Sequence, residues 1–418
     1  MQLQEIGEIH IGNEPFDRTV TVFFNNKEST TFDWVFLRDN CTCPQCFHNE
    51  TKQRIFDTFN QLPFLMERNK DGMVTYTNDM PQDVSFKIDS DSLMVTWQDG
   101  HISKFSSEWL YSHSYAPSLQ HKRLELPVKV YWDAKDFKDL SQDRFNVKYS
   151  ALTEKHTGSL LTVLKEIHTY GFTFVHDVPV SLEATQKVSE LISIIRPTHY
   201  DLGVWDFTSD LSKKDTAYTS LAIDMHTDGN YWYELPGLQL FHMLEHSNGS
   251  GGETRIVDVA KIVDVLFSLA KSSPSWETTY KVLTQQPIKF HQAGEVDNCF
   301  TQQSYPTLSL DSQGRLVQCR WNTSDRSSMI PDAPGTFTKS QVYEALYRFN
   351  ALINDPEYFV QFQLSPGTIL VFDNWRVLHA RTEFTGRRRL CGSYLTRDDY
   401  LARLRSMSFE REELLNSM

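Results

Sequence analysis

Apolar residues along this chain follow two rhythms. In Thr19–Phe24 and in residues 92–97 they alternate with polar ones, the period-two pattern of half-buried strands, and polar turns separate such runs through residues 1–120. Residues 93–105 read as a hairpin with Gln98-Asp99-Gly100 at its turn. Further on, residues 160–170, 182–195, 260–270 and 339–352 carry the helical rhythm, and Gly171-Phe172-Thr173-Phe174-Val175 reads as a strand between the first two. Residues 238–244 and 368–372 also read as strands. This divides the chain into a small β-rich domain, 1–120, a linker, 121–145, that carries Pro127 and many charges over the surface, and a larger domain, 146–418. No internal repeat or low-complexity tract is visible.

The chemistry concentrates in His226-Thr227-Asp228, answered 151 residues after Asp228 by His379 in Phe372-Asp373-Asn374-Trp375-Arg376-Val377-Leu378-His379. Two histidines and one carboxylate are the protein ligands of a non-haem Fe(II) oxygenase, and they leave one side of the metal open. Residues i and i+2 of a strand face the same way, so His226 and Asp228 can grip one ion from one strand while His379 comes from another. By itself H-x-D is common by chance, two polar residues at a strand end. Its weight comes from the neighbourhood. Strands carrying these ligands, flanked by helices, fit a double-stranded β-helix (jelly roll) catalytic domain in a mainly β protein. Past His379 comes Arg387-Arg388-Arg389. An oxygenase of this type holds the far carboxylate of a dicarboxylate cosubstrate in a fork of donors, for which a planar, permanently charged guanidinium is suited. Alternation makes Arg388 face opposite to its two neighbours, so only one side of the trio can turn inward and the rest is a solvated basic stretch.

Composition narrows the partners. With 41 Lys+Arg against 54 Asp+Glu the net charge is −13, which argues against nucleic acid, whose phosphates want a basic face. Such a surface mildly attracts a cation, though keeping the protein soluble is explanation enough for the charge. No apolar stretch approaches the roughly 20 residues that span a bilayer, so no membrane partner is expected. The N-terminus lacks the basic-then-apolar order of a secretory signal and has no arginine before Arg18. The expected location is cytoplasmic, or mitochondrial if a presequence is missing.

Six cysteines are present, three of them crowded into Cys41-Thr42-Cys43-Pro44-Gln45-Cys46, which is no disulfide framework. Three thiolates beside a turn-forming proline suit a tetrahedral Zn(II) that takes one more ligand from elsewhere. His48 is close, but a tight C-x-C-x-x-C wrap strains if a side chain two residues on must also reach inward. A redox-active cluster is the rival reading, and nothing around it resembles a thioredoxin-like unit.

The run FDNWRVLHARTEFTGRRRLCGSYLTRDD, with DTAYTSLAIDMHTD upstream and Trp34-Val35-Phe36-Leu37-Arg38-Asp39-Asn40-Cys41 near the start, resembles the trimethyllysine dioxygenase and gamma-butyrobetaine dioxygenase family over nearly the whole chain. These are Fe(II)- and 2-oxoglutarate-dependent hydroxylases of carnitine synthesis. The resemblance implies His226, Asp228 and His379 on iron, Arg388 and Thr254 on 2-oxoglutarate, and His101 as the fourth ligand of a structural Zn(II) with Cys41, Cys43 and Cys46. It also implies a homodimer, and ascorbate as keeper of reduced iron. Both family substrates carry a quaternary ammonium, which aromatic faces hold best. Tyr200, Trp205, Tyr218 and Tyr394 match the family's cage positions, although Tyr200 and Trp205 stand one residue further apart than the family pattern. Core packing is the ordinary use of any one of these rings. Asp215 sits where an acid could pair with the α-ammonium of trimethyllysine, against the alternative of a surface residue in a Lys-Lys-Asp turn. Asn322 is placed to help hold cosubstrate or substrate. The expectation is hydroxylation of trimethyllysine, the first step of carnitine biosynthesis. The alternatives are gamma-butyrobetaine hydroxylation and a non-catalytic trimethyllysine-binding protein.

Overall fold

The computed structural model describes residues 5–12, 18–61, 64–68, 70, 74–78, 84–89, 91–119, 124–140, 144–154, 157–208, 219–293, 300–328 and 337–416. The chain divides into two compact units, residues 1–125 with 411–418, and residues 126–410.

In the smaller unit Ile6–Ile11, Thr19–Phe24 and Ser29–Asp33 form one antiparallel sheet, and Ser85–Asp89, Ser92–Thr96 and Ile102–Ser106 form another. The alternation sorts the side chains. Val20, Val22 and Phe24 are buried, while on the opposite face the hydroxyls of Thr21 and Thr31 meet at 2.9 Å. Leu93, Val95 and Phe105 join the same core, completed by Leu37 from helix Trp34–Asp39 and Leu110 from helix Ser107–Ser112. The hairpin expected between residues 93 and 105 is present. Its turn ends at Gly100, whose φ of +78° a side chain would strain, and so delivers His101 at the head of the returning strand.

The larger unit has two main sheets, besides the two-stranded pairs Pro287–Gln292 with Thr301–Pro306 and Leu308–Leu310 with Leu316–Cys319. Six strands run in the order Val147–Lys148, Phe172–His176, Ile369–Asp373, Leu238–Ser247, Arg387–Leu395, Trp205–Thr208, and all but the first pair are antiparallel. Four run in the order Ile223–His226, Val377–Arg381, Thr254–Asp258, Phe359–Phe362, all antiparallel. Only Asn374-Trp375-Arg376 separates Ile369–Asp373 of one sheet from Val377–Arg381 of the other, the step of a double-stranded β-helix. Strand parity decides which residues face inward. Leu238, Leu240, Ile369 and Val371 pack outward on helices Thr157–Tyr170, Leu182–Ile192 and Arg397–Ser408, while Phe241, Met243, Leu370 and Phe372 turn to the interior. In the other sheet Val257, Leu378 and Ala380 pack outward with helices Val259–Ser272, Pro274–Gln285 and Lys339–Ile353. That leaves Thr254 and His379 on the inner side.

The four expected helices are present, with small differences. Leu182–Ile192 stops short of residue 195 because Ser193 leaves helical geometry and its hydroxyl donates to the Thr396 carbonyl at 2.7 Å. Helix Thr157–Tyr170 ends at Gly171, where φ is +82° and a Cβ would meet Val377 Cγ2 at 2.9 Å. Of the stretch read as a surface linker, residues 126 onward belong to the larger unit. Trp132 is fully buried there and donates its indole N–H to the Tyr170 carbonyl at 2.7 Å. Among the described residues no helix is long and apolar enough to cross a membrane.

Candidate active site and a second metal cluster

Adjacent strands bring the two histidines together. His226, the last residue of its strand, is the cross-strand partner of His379, and their ring centroids lie 4.1 Å apart. Asp228 stands two residues on, just past the strand end. Its backbone is clamped by the buried Asn374, which accepts from the Asp228 N–H at 3.0 Å and donates to the carbonyls of Asp228 and Pro236 at 3.1 Å each. The Asp228 carboxylate lies 3.3 Å from His226 Nε2 and 3.9 Å from His379 Nε2. His226 Nδ1 is 2.7 Å from the Asp224 carbonyl, a contact that ties down this nitrogen and leaves Nε2 to act as a ligand. Burial by itself would raise the Asp228 carboxyl, but His226, His379 and Tyr394 outweigh it and hold the group well below the ordinary carboxylate range. Burial and the neighbouring His226 push His379 down to about 3, so it stays the neutral imidazole that binds metals. One donor atom from each of the three residues lies within 4.8 Å of the others, and the donor set suits Fe(II).

The trio opens into a cavity of about 460 Å³ that also exposes Thr254, Arg381 and Arg388. Arg387 and Arg389 are exposed, and Arg389 pairs with Asp206 at 2.5 Å. Arg388 lies inward at 9% exposure, its guanidinium 5.5 Å from the Phe384 ring centroid and its Nε without a hydrogen-bond partner among the described residues. Burial and the adjacent Arg381 push it down to about 9, which still leaves it cationic at neutral pH. A buried cation without a counter-ion is costly, so this end of the cavity calls for an anion.

Tyr200 and Tyr394 line the cavity with ring centroids 6.5 Å apart. Trp205 lies one layer back. It fills the space beside Gly392, where a Cβ would meet its ring at 2.3 Å, and stacks at 4.3 Å on Phe207, the ring that does line the cavity. Asn322 is at the wall, but its side chain is engaged in a turn, donating to Asp325 at 2.8 Å and accepting from the Ser324 N–H at 2.8 Å. Asp215 and Tyr218 lie outside the described residues. Gln239 and Arg381 were not singled out from the sequence. Arg381 was within reach, being two residues past His379 on an inward-facing parity. Gln239 shows only as a polar residue in the apolar run Leu238-Gln239-Leu240-Phe241.

In the smaller unit Cys41, Cys43, Cys46 and His101 form a second cluster. Their sulfurs lie 3.4, 3.6 and 3.5 Å from His101 Nε2. Zinc bonds of about 2.3 Å to sulfur and about 2.0 Å to nitrogen at a tetrahedral angle put the two atoms about 3.5 Å apart, so the cluster fits zinc. Burial pushes the Cys46 thiol up to about 11 even though Arg38 pulls it down, so a cation in the cluster is what would make it a thiolate. The buried Arg38 donates to Cys46 Sγ at 3.2 Å and lies 3.6 Å from the Phe56 ring centroid. His48 is turned elsewhere, accepting from the Thr51 N–H at 3.1 Å.

A double-stranded β-helix with a two-histidine, one-aspartate trio and an inward arginine defines the Fe(II)- and 2-oxoglutarate-dependent dioxygenases as a class. The family model "Taurine catabolism dioxygenase TauD, TfdA family" matches residues 134–394, and "Gamma-butyrobetaine hydroxylase-like, N-terminal" matches residues 11–111. The chain is 37% identical over 412 residues to a trimethyllysine dioxygenase of Meyerozyma guilliermondii, covering 96% of each chain. It is 34% identical to the mitochondrial trimethyllysine dioxygenase of Rattus norvegicus, over 88% of this chain and 81% of that one. To a gamma-butyrobetaine dioxygenase of a Pseudomonas species it is 28% identical, over 93% and 94%. The chain belongs to the trimethyllysine dioxygenase family.

Proposed function

We propose that this chain hydroxylates N6,N6,N6-trimethyl-L-lysine to 3-hydroxy-N6,N6,N6-trimethyl-L-lysine while 2-oxoglutarate and O2 yield succinate and CO2, the first step of carnitine biosynthesis. The observation that carries the reading is the meeting, in one cavity, of the metal-ligating trio and a buried arginine that has no counter-ion among the described residues. His226, Asp228 and His379 would hold Fe(II), which when bound supplies the oxidising chemistry. Arg388, with the Thr254 hydroxyl, takes the far carboxylate of 2-oxoglutarate, and burial strengthens that pairing by excluding water. Tyr200 and Tyr394 offer ring faces to the trimethylammonium, with Trp205 behind Phe207 as support, and Tyr218 is assigned to the same cage by the family resemblance. Asp215 is assigned to the α-ammonium, and Asn322 to cosubstrate or substrate. Placement of the target C–H bond is the protein's share of the rate. The Zn(II) in Cys41, Cys43, Cys46 and His101 is structural, since four protein ligands leave no open position. Ascorbate as reductant, a homodimer and a cytoplasmic location accompany the reading as proposals.

Gamma-butyrobetaine is the second substrate reading, supported by the Pseudomonas relative at its lower identity. The test is enzyme reconstituted anaerobically with Fe(II), 2-oxoglutarate and ascorbate, then exposed to oxygen with each substrate in separate tubes. Gain of one oxygen on trimethyllysine alone is the expected result. Gain on gamma-butyrobetaine alone moves the chain to the sister activity, and binding of trimethyllysine without succinate formation makes it a binding protein.

A further inference from the structure

Asp228 offers two carboxylate oxygens, and the protein treats them differently. Gln239 Nε2 donates to Oδ2 at 2.5 Å, and the Tyr394 hydroxyl donates to the same oxygen at 2.9 Å. Oδ1 accepts from neither and faces His226 Nε2 at 3.3 Å, while Oδ2 is also the oxygen nearer His379 Nε2, at 3.9 Å. An ionised carboxylate has about two lone-pair directions on each oxygen, so two donors complete Oδ2. The pair of donors is built into the sheet. Gln239 and Tyr394 are direct cross-strand partners on neighbouring strands of the six-stranded sheet, and both side chains reach inward to Asp228. Both are buried, at 1% and 4% exposure. Gln239 also stands alone in chemistry, between Leu238 and Leu240, whose side chains pack outward on the helices. A polar residue buried on the interior side of such a strand needs a task, since desolvating its amide costs free energy unless it is hydrogen-bonded. Its Oε1 has no partner among the described residues, so the donation to Asp228 is the bond that its burial serves.

We propose that Gln239 and the Tyr394 hydroxyl are positioning residues that together hold the Asp228 carboxylate through its Oδ2, fixing the orientation in which it would serve the iron beside His226 and His379. The proposal rests on the iron reading given above. It gives Tyr394 two tasks, since its ring also borders the cavity proposed for the trimethylammonium, and the hydroxyl then links that wall to the metal ligand. Groups that orient a metal ligand in this way typically change metal affinity 10- to 100-fold when removed.

The test is anaerobic Fe(II) binding to metal-free protein, by competition with a chromophoric chelator, for Gln239→Leu, Tyr394→Phe, the double variant and Asp228→Ala. Urea unfolding of each metal-free protein runs in parallel. Gln239→Leu keeps the side-chain bulk and Tyr394→Phe keeps the ring, so either one suffices if the other fails to fold. The expected result is iron binding weakened about 10- to 100-fold in each single variant with the urea midpoint of the metal-free form unchanged. The double variant should lose less than the product of the two, because both act on one oxygen. Succinate formed per hydroxylated product should also rise above one in the single variants. Wild-type iron affinity in both single variants, beside its loss in Asp228→Ala, overturns the proposal and leaves the iron reading standing. Iron retained by Asp228→Ala overturns both. Weakened binding that tracks a fall in the metal-free urea midpoint reduces the pair to a structural role and overturns the proposal as well.

Discussion

The two clusters complete themselves in opposite ways. Cys41, Cys43, Cys46 and His101 bring four donors together, and the neighbouring Arg38 supplies the positive charge that a zinc ion with three thiolates would lack. Coordination closes inside the protein, and Arg38, which also lies 3.6 Å from the Asp99 carboxylate, offsets much of the charge. Among the described residues His226, Asp228 and His379 bring only three donors, and the cavity beside them holds Arg388 with no counter-ion. Here both coordination and charge are left open, and the open places describe the ligands: an anion for the arginine, small oxygen ligands for the metal. A cluster that is complete holds a fold. One left short by a ligand and a negative charge is placed to do chemistry.

Breaking the open cluster should have the largest effect. Asp228→Ala is expected to lower turnover roughly a thousandfold or more, as when one member of a catalytic unit is removed. Succinate formation measures this, and wild-type turnover would contradict the metal assignment. Breaking the closed cluster should unfold rather than poison. Cys43→Ser, or a chelator strong enough to take zinc, should destabilise the smaller unit by on the order of several kcal/mol. Differential scanning calorimetry and zinc content check this, and an unchanged melting profile in zinc-free protein would show the cluster to be idle. Next comes the charge left open. Arg388→Met should raise the KM for 2-oxoglutarate by an amount equal to roughly 2–5 kcal/mol of lost binding, with a much smaller change in the KM for trimethyllysine. Equal changes in both would remove its special place. The smallest effect falls on the charge already offset. Arg38→Met leaves three sulfurs without their cation and should speed zinc loss to a chelator by about tenfold, with kcat unchanged in the zinc-loaded enzyme.

The same contrast explains what was legible in the sequence. Three cysteines within six residues announce a metal site because the chain itself brings them together. His101 does not, since a hairpin carries it there from 55 residues beyond Cys46. Asp228 and His379 could be paired on donor chemistry, and strand parity placed Arg388 opposite to Arg387 and Arg389. That parity holds along the strand because one face packs on the sheet interior and the other meets solvent. Gln239 and Asn374 stayed hidden, because each acts on Asp228 across strands or loops and neither type is a usual ligand. Trp205 could not be resolved from Phe207, since both have the same parity and only the gap beside Gly392 sets the indole one layer back. Helices Pro274–Gln285 and Arg397–Ser408 were missed for another reason. Their apolar stripes are thin and interrupted by charge, so only their contacts with neighbouring helices and sheet mark them out.

The most direct measurement is graded removal of metal from the purified enzyme, with iron and zinc counted element by element at each chelator concentration and turnover of trimethyllysine measured on the same samples. The open site should empty first, and turnover should fall in proportion to iron while zinc content and the melting profile stay constant. Added Fe(II) should then restore activity in full. If turnover instead followed zinc, or if iron and zinc left together with the fold, the division into one closed structural site and one open catalytic site would be wrong.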